Sequence, residues 1–241
     1  MKLCAIDTST LVASVAIVND NTVLAHRDSD VDTHSDNLLA LIDEACKAAG
    51  VTIAELDAVA VGLGPGSFTG LRIGMATAKG LAYAANKPLH GVSSLAALAV
   101  DVAEAGADSS ALIVPVLDAR RGEVFAGVYR RDDGHLSAVA SECVLAPEAL
   151  AGHVREAAPE GTEIVVGGDA VELYAEALAG VGRVVGGPRT PSATRVAEVC
   201  LQAESRVDIL VTGAPVYIRP SEAEIKFPKG NPGGTFARRD E

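Results

Sequence analysis

At 241 residues the chain has room for one large domain or two of roughly 100–150 residues each. Apolar residues make up 49% but aromatic ones only 3%, with no tryptophan, so alanine, valine, leucine and isoleucine must build the core from small-residue helices packed on buried strands. A net charge of −12, with basic residues scattered apart from Arg120–Arg121, Arg130–Arg131 and Arg238–Arg239, argues against a chain that holds nucleic acid mainly by itself.

The opening MKLCAIDTST turns polar by position 7, too early for a signal peptide. No apolar run approaches the about 20 residues that span a bilayer. Cys4, Cys46, Cys143 and Cys200 form no CxxC pair and read as free thiols. The expectation is a cytoplasmic protein.

Residues 3–7 (LCAID) form a short apolar run closed by an aspartate. A polar turn, a second apolar run at 13–18, a turn at NDN and a third run at 22–25 complete a three-strand meander. Next comes a helical pattern, with Leu38, Leu39, Leu41, Ile42, Ala45, Cys46 and Ala49 on one face, N-cap candidates at Asp32, Thr33 and Ser35, and Gly50 as the stop. Residues 58–63 read as a strand buried on both faces, followed by a glycine-rich stretch and helix at 67–85, a strand at 89–92 and a helix at 94–105. The design then repeats. Residues 112–118 (LIVPVLD) again end in aspartate, turn through ARRGE, and lead to runs at 124–129 and 135–139. Strands at 164–166 and 184–185, helices at 171–178 and 192–204, and a loose tail from 222 complete an α/β chain of two similar halves, 1–107 and 108–221.

The stretch VGLGPGSFTGLRIG begins like a phosphate loop, but Leu71 stands where GxxxxGK[ST] needs its lysine, and Gly62, Gly64 and Gly66 miss the GxGxxG spacing. An anion at the helix N-terminus stays open. Gly70, Gly74 and Gly80 each cost a helix about 1 kcal/mol relative to alanine, so something must compensate. Gly70, Gly74, Thr77, Ala78 and Leu81 share one nearly bald stripe, which permits close approach either of the chain's own elements or of another subunit. The partner face on the second reading comprises Ser35, Leu38, Leu39 and Ile42 on one helix, and Ser67, Gly70, Leu71, Gly74, Thr77, Ala78 and Leu81 on the other.

AIDTST, THSDNLLALID, GPGSFTGLRIG, GVSSLAALA, DARRGEVFAGVY, GGDA and APVYIR occur in this order, and over residues 2–220 the chain resembles the TsaB (YeaZ) family of bacterial tRNA threonylcarbamoyladenosine proteins. The resemblance implies a duplicated actin/Hsp70/sugar-kinase-like α/β fold and a non-catalytic subunit. Its implied partners are a TsaD-like catalytic paralogue and a TsaE-like ATPase, with a homodimer when alone and tRNA reached mainly through the partner. Adenine nucleotide is implied only for the assembled complex, with no cofactor in isolation.

The residues agree with a non-catalytic reading. Active members of the superfamily follow the strand-end aspartate with x-Gly-[ST], whereas here Asp7 meets Thr8-Ser9 and Asp118 meets Ala119-Arg120. Arg120 reads as an anion contact or, in preference, as an exposed hairpin residue, and Asp169 as part of a nucleoside-binding turn or, in preference, as a helix cap. His26, His34, His90, His135 and His153 form no HxxxH or HExxH pair, so no metal site is expected, and Ser67 and Ser93 lack a histidine partner. The competing readings are an autonomous ATPase or small-molecule kinase using Asp7 and Asp118, and a metallopeptidase.

Overall fold

The computed structural model describes residues 1–29 and 38–219. Within them, two five-stranded mixed sheets follow one plan. In the first, β1 (Lys2–Asp7), β2 (Ser14–Asn19) and β3 (Thr22–Asp28) form an antiparallel meander. Two parallel strands, β4 (Ala58–Gly62) and β5 (Leu89–Val92), extend the sheet on the other side of β1. In the second, β6 (Leu112–Asp118), β7 (Val124–Asp132) and β8 (His135–Leu145) repeat the meander, while β9 (Ile164–Gly167) and β10 (Arg183–Val184) repeat the parallel addition. Read from the meander edge, the order is the same in both sheets. The recurring strand-end aspartate therefore belongs to a repeated α/β unit.

The sheets sandwich two helices and carry others outside. On the outer face of the first sheet lie α1 (Leu38–Ala49) and α2 (Phe68–Ala85), which bury Leu38, Ile42, Ala45, Met75, Ala78 and Leu81 against β1, β2 and β4. Left-handed residues end both helices: Gly50 at φ +62° follows α1, and Asn86 at φ 53° caps α2. Between the sheets lie α3 (Ser94–Glu104) and α7 (Ala193–Gln202), packed against one another. α3 covers the second sheet through Leu95, Leu98 and Val102, and α7 covers the first through Val196, Ala197 and Cys200. Each half thus supplies the inner helix of the other. Arg195 on α7 fastens the exchange, pairing with Asp101 on α3 at 2.7 Å and with Glu104.

After α7 the chain returns to the first sheet. Ile209 N–H donates to Leu89 O at 2.8 Å and Val216 N–H to Leu63 O at 2.8 Å. This return brings residues 216–219 alongside the start of α2 and the end of β6.

The structure changes some expected elements. The helix expected at 171–178 is two short turns, α5 (Ala170–Leu173) and α6 (Ala175–Leu178), broken at Tyr174. The outer face of the second sheet carries α4 (Pro147–Ala157), which sequence reading passed over. The expected tail from 222 lies outside the described residues.

Candidate functional site

Three glycines at the start of α2 serve one contact. A β-carbon on Gly66 would lie 2.1 Å from Ser9 O, one on Gly70 would lie 2.1 Å from Thr8 O, and one on Gly74 would lie 2.1 Å from Thr8 Oγ1. Thr8 Oγ1 also donates to Gly70 O at 2.8 Å, and Ser67 N–H donates to Ser9 O at 2.6 Å. The bald stripe is where the chain's own β1–β2 turn lies on α2. Ser67 caps the helix, its Oγ accepting from Gly70 N–H at 3.3 Å.

This corrects the partner face read from the sequence. Gly70 and Gly74 are filled by Thr8, and Leu38, Ile42, Leu71, Ala78 and Leu81 are buried in the chain's own core. The reason is geometric: spacing places residues on one helical face but does not say what that face meets. Of the same set, Leu39 and Ser67 are exposed and Thr77 is half-buried, while Ser35 lies outside the described residues. The outward face of the two helices instead presents Leu39 at 67% exposure and Tyr83 at 80%, with Ala76, Gly80 and Ala84 exposed beside Tyr83. An added β-carbon on Gly80 meets nothing within 4 Å. A legible signal was present: Ala76, Gly80 and Ala84 recur every four residues, one face round from the stripe that attracted attention.

The two strand-end aspartates have different surroundings. Asp7 is 1% exposed, with Oδ1 accepting from Ser9 N–H and Ser9 Oγ and Oδ2 from Ser94 Oγ at 2.6 Å. Gly62 makes room for it, since a β-carbon there would sit 2.0 Å from Asp7 Oδ2. Burial raises the Asp7 carboxyl above the usual carboxylate range, against the opposing pull of the serine hydrogen bonds. Asp118 instead lines an open cleft between the halves, of about 840 Å³. Its Oδ1 accepts from Arg120 N–H at 2.8 Å and from Tyr174 O–H at 3.2 Å, and Arg120 Nη1 lies 3.2 Å from Oδ2. Asp169 does not cap a helix with its side chain; its Oδ1 accepts from Asp118 N–H at 2.8 Å, tying the ends of β6 and β9. Burial raises its carboxyl too.

Sequence reading missed the cleft's other lining. Phe68 and Tyr217 stack with ring centroids 5.0 Å apart, and the Arg72 guanidinium covers Phe68 at 3.8 Å while donating to Tyr217 O–H at 3.2 Å. Arg219 donates to Ala119 O at 2.5 Å, pairs with Glu123 and lies 5.9 Å from the Phe125 ring. Of the six described aromatic side chains, Phe68, Phe125 and Tyr217 converge here, so the scarcity of aromatics was itself a pointer. Among the described residues, no three His, Cys, Asp or Glu side chains gather as metal ligands would, and no helix is long and apolar enough to cross a membrane.

A family model described as TsaD, tRNA N6-adenosine threonylcarbamoyltransferase, matches residues 29–226. The Escherichia coli (strain K12) tRNA threonylcarbamoyladenosine biosynthesis protein TsaB is 33% identical over 95% of this chain and 99% of its own. YeaZ from Pseudomonas aeruginosa superposes with a TM-score of 0.77 at 29% identity, covering 90% of this chain and 99% of that one. The ROK hexokinase of Thermus thermophilus, 16% identical with a TM-score of 0.50 over 83% of this chain and 98% of its own, shares the fold alone.

Proposed function

The chain belongs to the TsaB family and acts in tRNA threonylcarbamoyladenosine biosynthesis, and within that role we propose that it is a non-catalytic subunit that docks on and activates a TsaD-like catalytic paralogue. The observation that carries this reading is the sealed Asp7. A carboxylate at 1% exposure, accepting three hydrogen bonds from Ser9 and Ser94, is closed off from a nucleotide-bound metal ion. The turn after it is also filled by α2, where an active member would admit phosphates.

The outward face of α1 and α2 is the docking surface in this reading. Leu39 and Tyr83 supply exposed apolar area, and Ala76, Gly80 and Ala84 allow a partner helix to approach closely. When the paralogue is absent, the same surface pairs with a second copy of the chain. A TsaE-like ATPase completes the assembly, and adenine nucleotide enters with it. The negative charge leaves most tRNA contact to the partner, and the assembly works in the cytoplasm.

Co-purification with the paralogue, followed by cross-linking mass spectrometry and titration calorimetry, tests the docking. Leu39→Asp and Gly80→Leu alter exposed positions and leave the isolated chain folded. Each weakens the heterodimer at least tenfold, about 1.4 kcal/mol. Unchanged affinity in both variants removes the docking face. Sustained ATP hydrolysis by the purified chain, abolished by Asp7→Asn, overturns the non-catalytic reading.

A further inference from the structure

The last described residues cross the cleft from one half to the other. Val216 is held on the first half by its N–H bond to Leu63 O, and Tyr217 stacks there on Phe68. Ile218 then packs on the core of the second sheet, while Arg219 donates to Ala119 O at 2.5 Å and pairs with Glu123. All four residues line the cleft, so residues 220–241 begin at its wall.

What the cleft leaves uncovered is apolar. Leu11, Phe68 and Tyr217 are exposed in it, and Leu173 is 61% exposed. Its charges are engaged: Arg120 pairs with Asp118, Arg219 with Glu123, and Arg72 lies on the Phe68 ring with a hydrogen bond to Tyr217. A concave surface of this kind, about 840 Å³ in volume, is the form a binding site takes. The segment that begins at its wall carries a matching pattern. In 222–227 (EAEIKF), Ala223, Ile225 and Phe227 alternate with Glu222, Glu224 and Lys226, so an extended backbone presents one apolar face. Pro228 and the KGNPGG run close the stretch. From Pro220 to Phe227 an extended chain reaches roughly 26–29 Å, enough to cross the cleft.

We propose that residues 222–227 lie extended in the cleft of their own chain, with Ile225 and Phe227 against Leu11, Phe68, Leu173 and Tyr217. Arg219 fixes the start of the segment at the cleft wall, so the tethered copy outcompetes the same segment of a second molecule. Seated there, the segment bridges the two halves and closes the cleft to other ligands until it is released. Occupancy of the cleft does not draw on the outward face of α1 and α2, so this test and that of the docking face fail separately.

Leu173→Cys in the full chain reports on the cleft, and Val211→Cys, 89% exposed and outside it, is the reference. Both are read by peptide mass spectrometry after treatment with a thiol reagent. The expected labelling at Leu173→Cys is about tenfold slower than at Val211→Cys, as roughly nine-tenths occupancy requires, and rises about tenfold once Ile225→Asp and Phe227→Asp are added. Val211→Cys does not respond to those two substitutions, and buried Cys4 and Cys200 stay unlabelled, which separates release of the segment from unfolding. A photo-crosslinking phenylalanine analogue in place of Phe227 gives a second readout, linking within one molecule to residues 9–11, 66–72, 117–125 or 173. Labelling of Leu173→Cys as fast as Val211→Cys, or a rate unmoved by the tail substitutions, overturns the proposal. So do protection that is lost on dilution and cross-links that fall elsewhere or join two molecules.

Discussion

Replacing Gly74 by alanine puts a methyl group 2.1 Å from Thr8 Oγ1, well inside contact distance, whereas the Thr8 Cβ and Cγ2 stand off at 3.3 and 3.4 Å. Relief requires the threonine to turn away and give up its 2.8 Å hydrogen bond to Gly70 O. Overpacking costs about 1–3 kcal/mol and the lost bond about 1 kcal/mol, against about 1 kcal/mol gained from alanine's better helix propensity. The net loss is about 1–3 kcal/mol. In a Thr8→Ala background both the clash and the bond are already gone, and the same substitution becomes neutral or stabilising by about 1 kcal/mol. Gly70→Ala provides the contrast. Its methyl would lie 2.1 Å from the Thr8 carbonyl oxygen, which no side-chain change deletes, so Thr8→Ala does not rescue it. Urea unfolding of the six proteins gives the coupling energies directly. A chain of this size melts about 2–4 °C lower per kcal/mol lost, so thermal scans resolve the same pattern. If Gly74→Ala is as stable as the parent, or costs the same in both backgrounds, the β1–β2 turn is not what the glycines accommodate.

Gly80→Ala should have the opposite sign, stabilising the isolated chain by about 1 kcal/mol in urea unfolding, since its methyl points into open space. The His26 ring Nε2 lies 3.0 Å from both Asp28 Oδ1 and Ser14 Oγ. The Asp28 hydrogen bond raises His26 above its ordinary value of 6.5, against burial and Arg27 and with help from the Asp28 and Asp101 charges. Its contribution is therefore fully present below pH 6.5 and lost as pH rises through the higher folded value; Asp28, lowered by the same pair, loses its share as pH falls below its ordinary 3.8. His26→Gln should accordingly cost about 0.5–1 kcal/mol near pH 6 and less at pH 8.5, a small effect because both side chains are about a third exposed or more. Burial raises the Cys200 thiol to about 11 and also raises Cys4 and Cys46, so a thiol reagent at neutral pH should leave all three unlabelled in the native chain and label them in denaturant.

Residues that act through their neighbours in sequence were legible; those whose neighbours arrive from far along the chain were not. The strands announce themselves locally: β1 from Leu3 to Ile6, and β4, are apolar because both faces are covered, and turn residues bound the meanders. Gly50, read as the stop of α1, ends it by local left-handed geometry. By contrast, the meaning of Gly70 and Gly74 depends on Thr8, some sixty positions earlier, and a four-residue spacing looks the same whether an internal turn or an external helix fills it. Asp169 precedes a helix as a cap would, yet its carboxylate bonds the Asp118 amide across the sheet. Tyr174 interrupts an otherwise continuous helical pattern where its hydroxyl reaches Asp118. The helix α4 escaped notice because only Leu150 and Val154 mark its apolar face, alongside Pro147 at its start.

Duplication sets equivalent aspartates at the ends of β1 and β6, and their different fates follow from what packs on each. Behind Asp7, Gly62 and the start of α3 close in, and the turn beyond it lies on glycines, so the carboxylate is sealed with its hydrogen bonds made internally. Near Asp118 the helix that follows β9, the counterpart of α2, is only four residues long and breaks at Tyr174, and the turn beyond Asp118 rises into the left-handed Arg120–Arg121 pair instead of lying down. The strand end of the second half therefore borders the cleft while that of the first is sealed. The two arrangements meet at α2. Its N-terminal end, together with Gly66 just ahead of it, covers the closed end through Gly66 and Gly70 and lines the open cleft through Phe68 and Arg72, while the helix also presents Gly80 and Tyr83 to the outside. One helix thus fills the first turn on one side and leaves a bare stripe on the other.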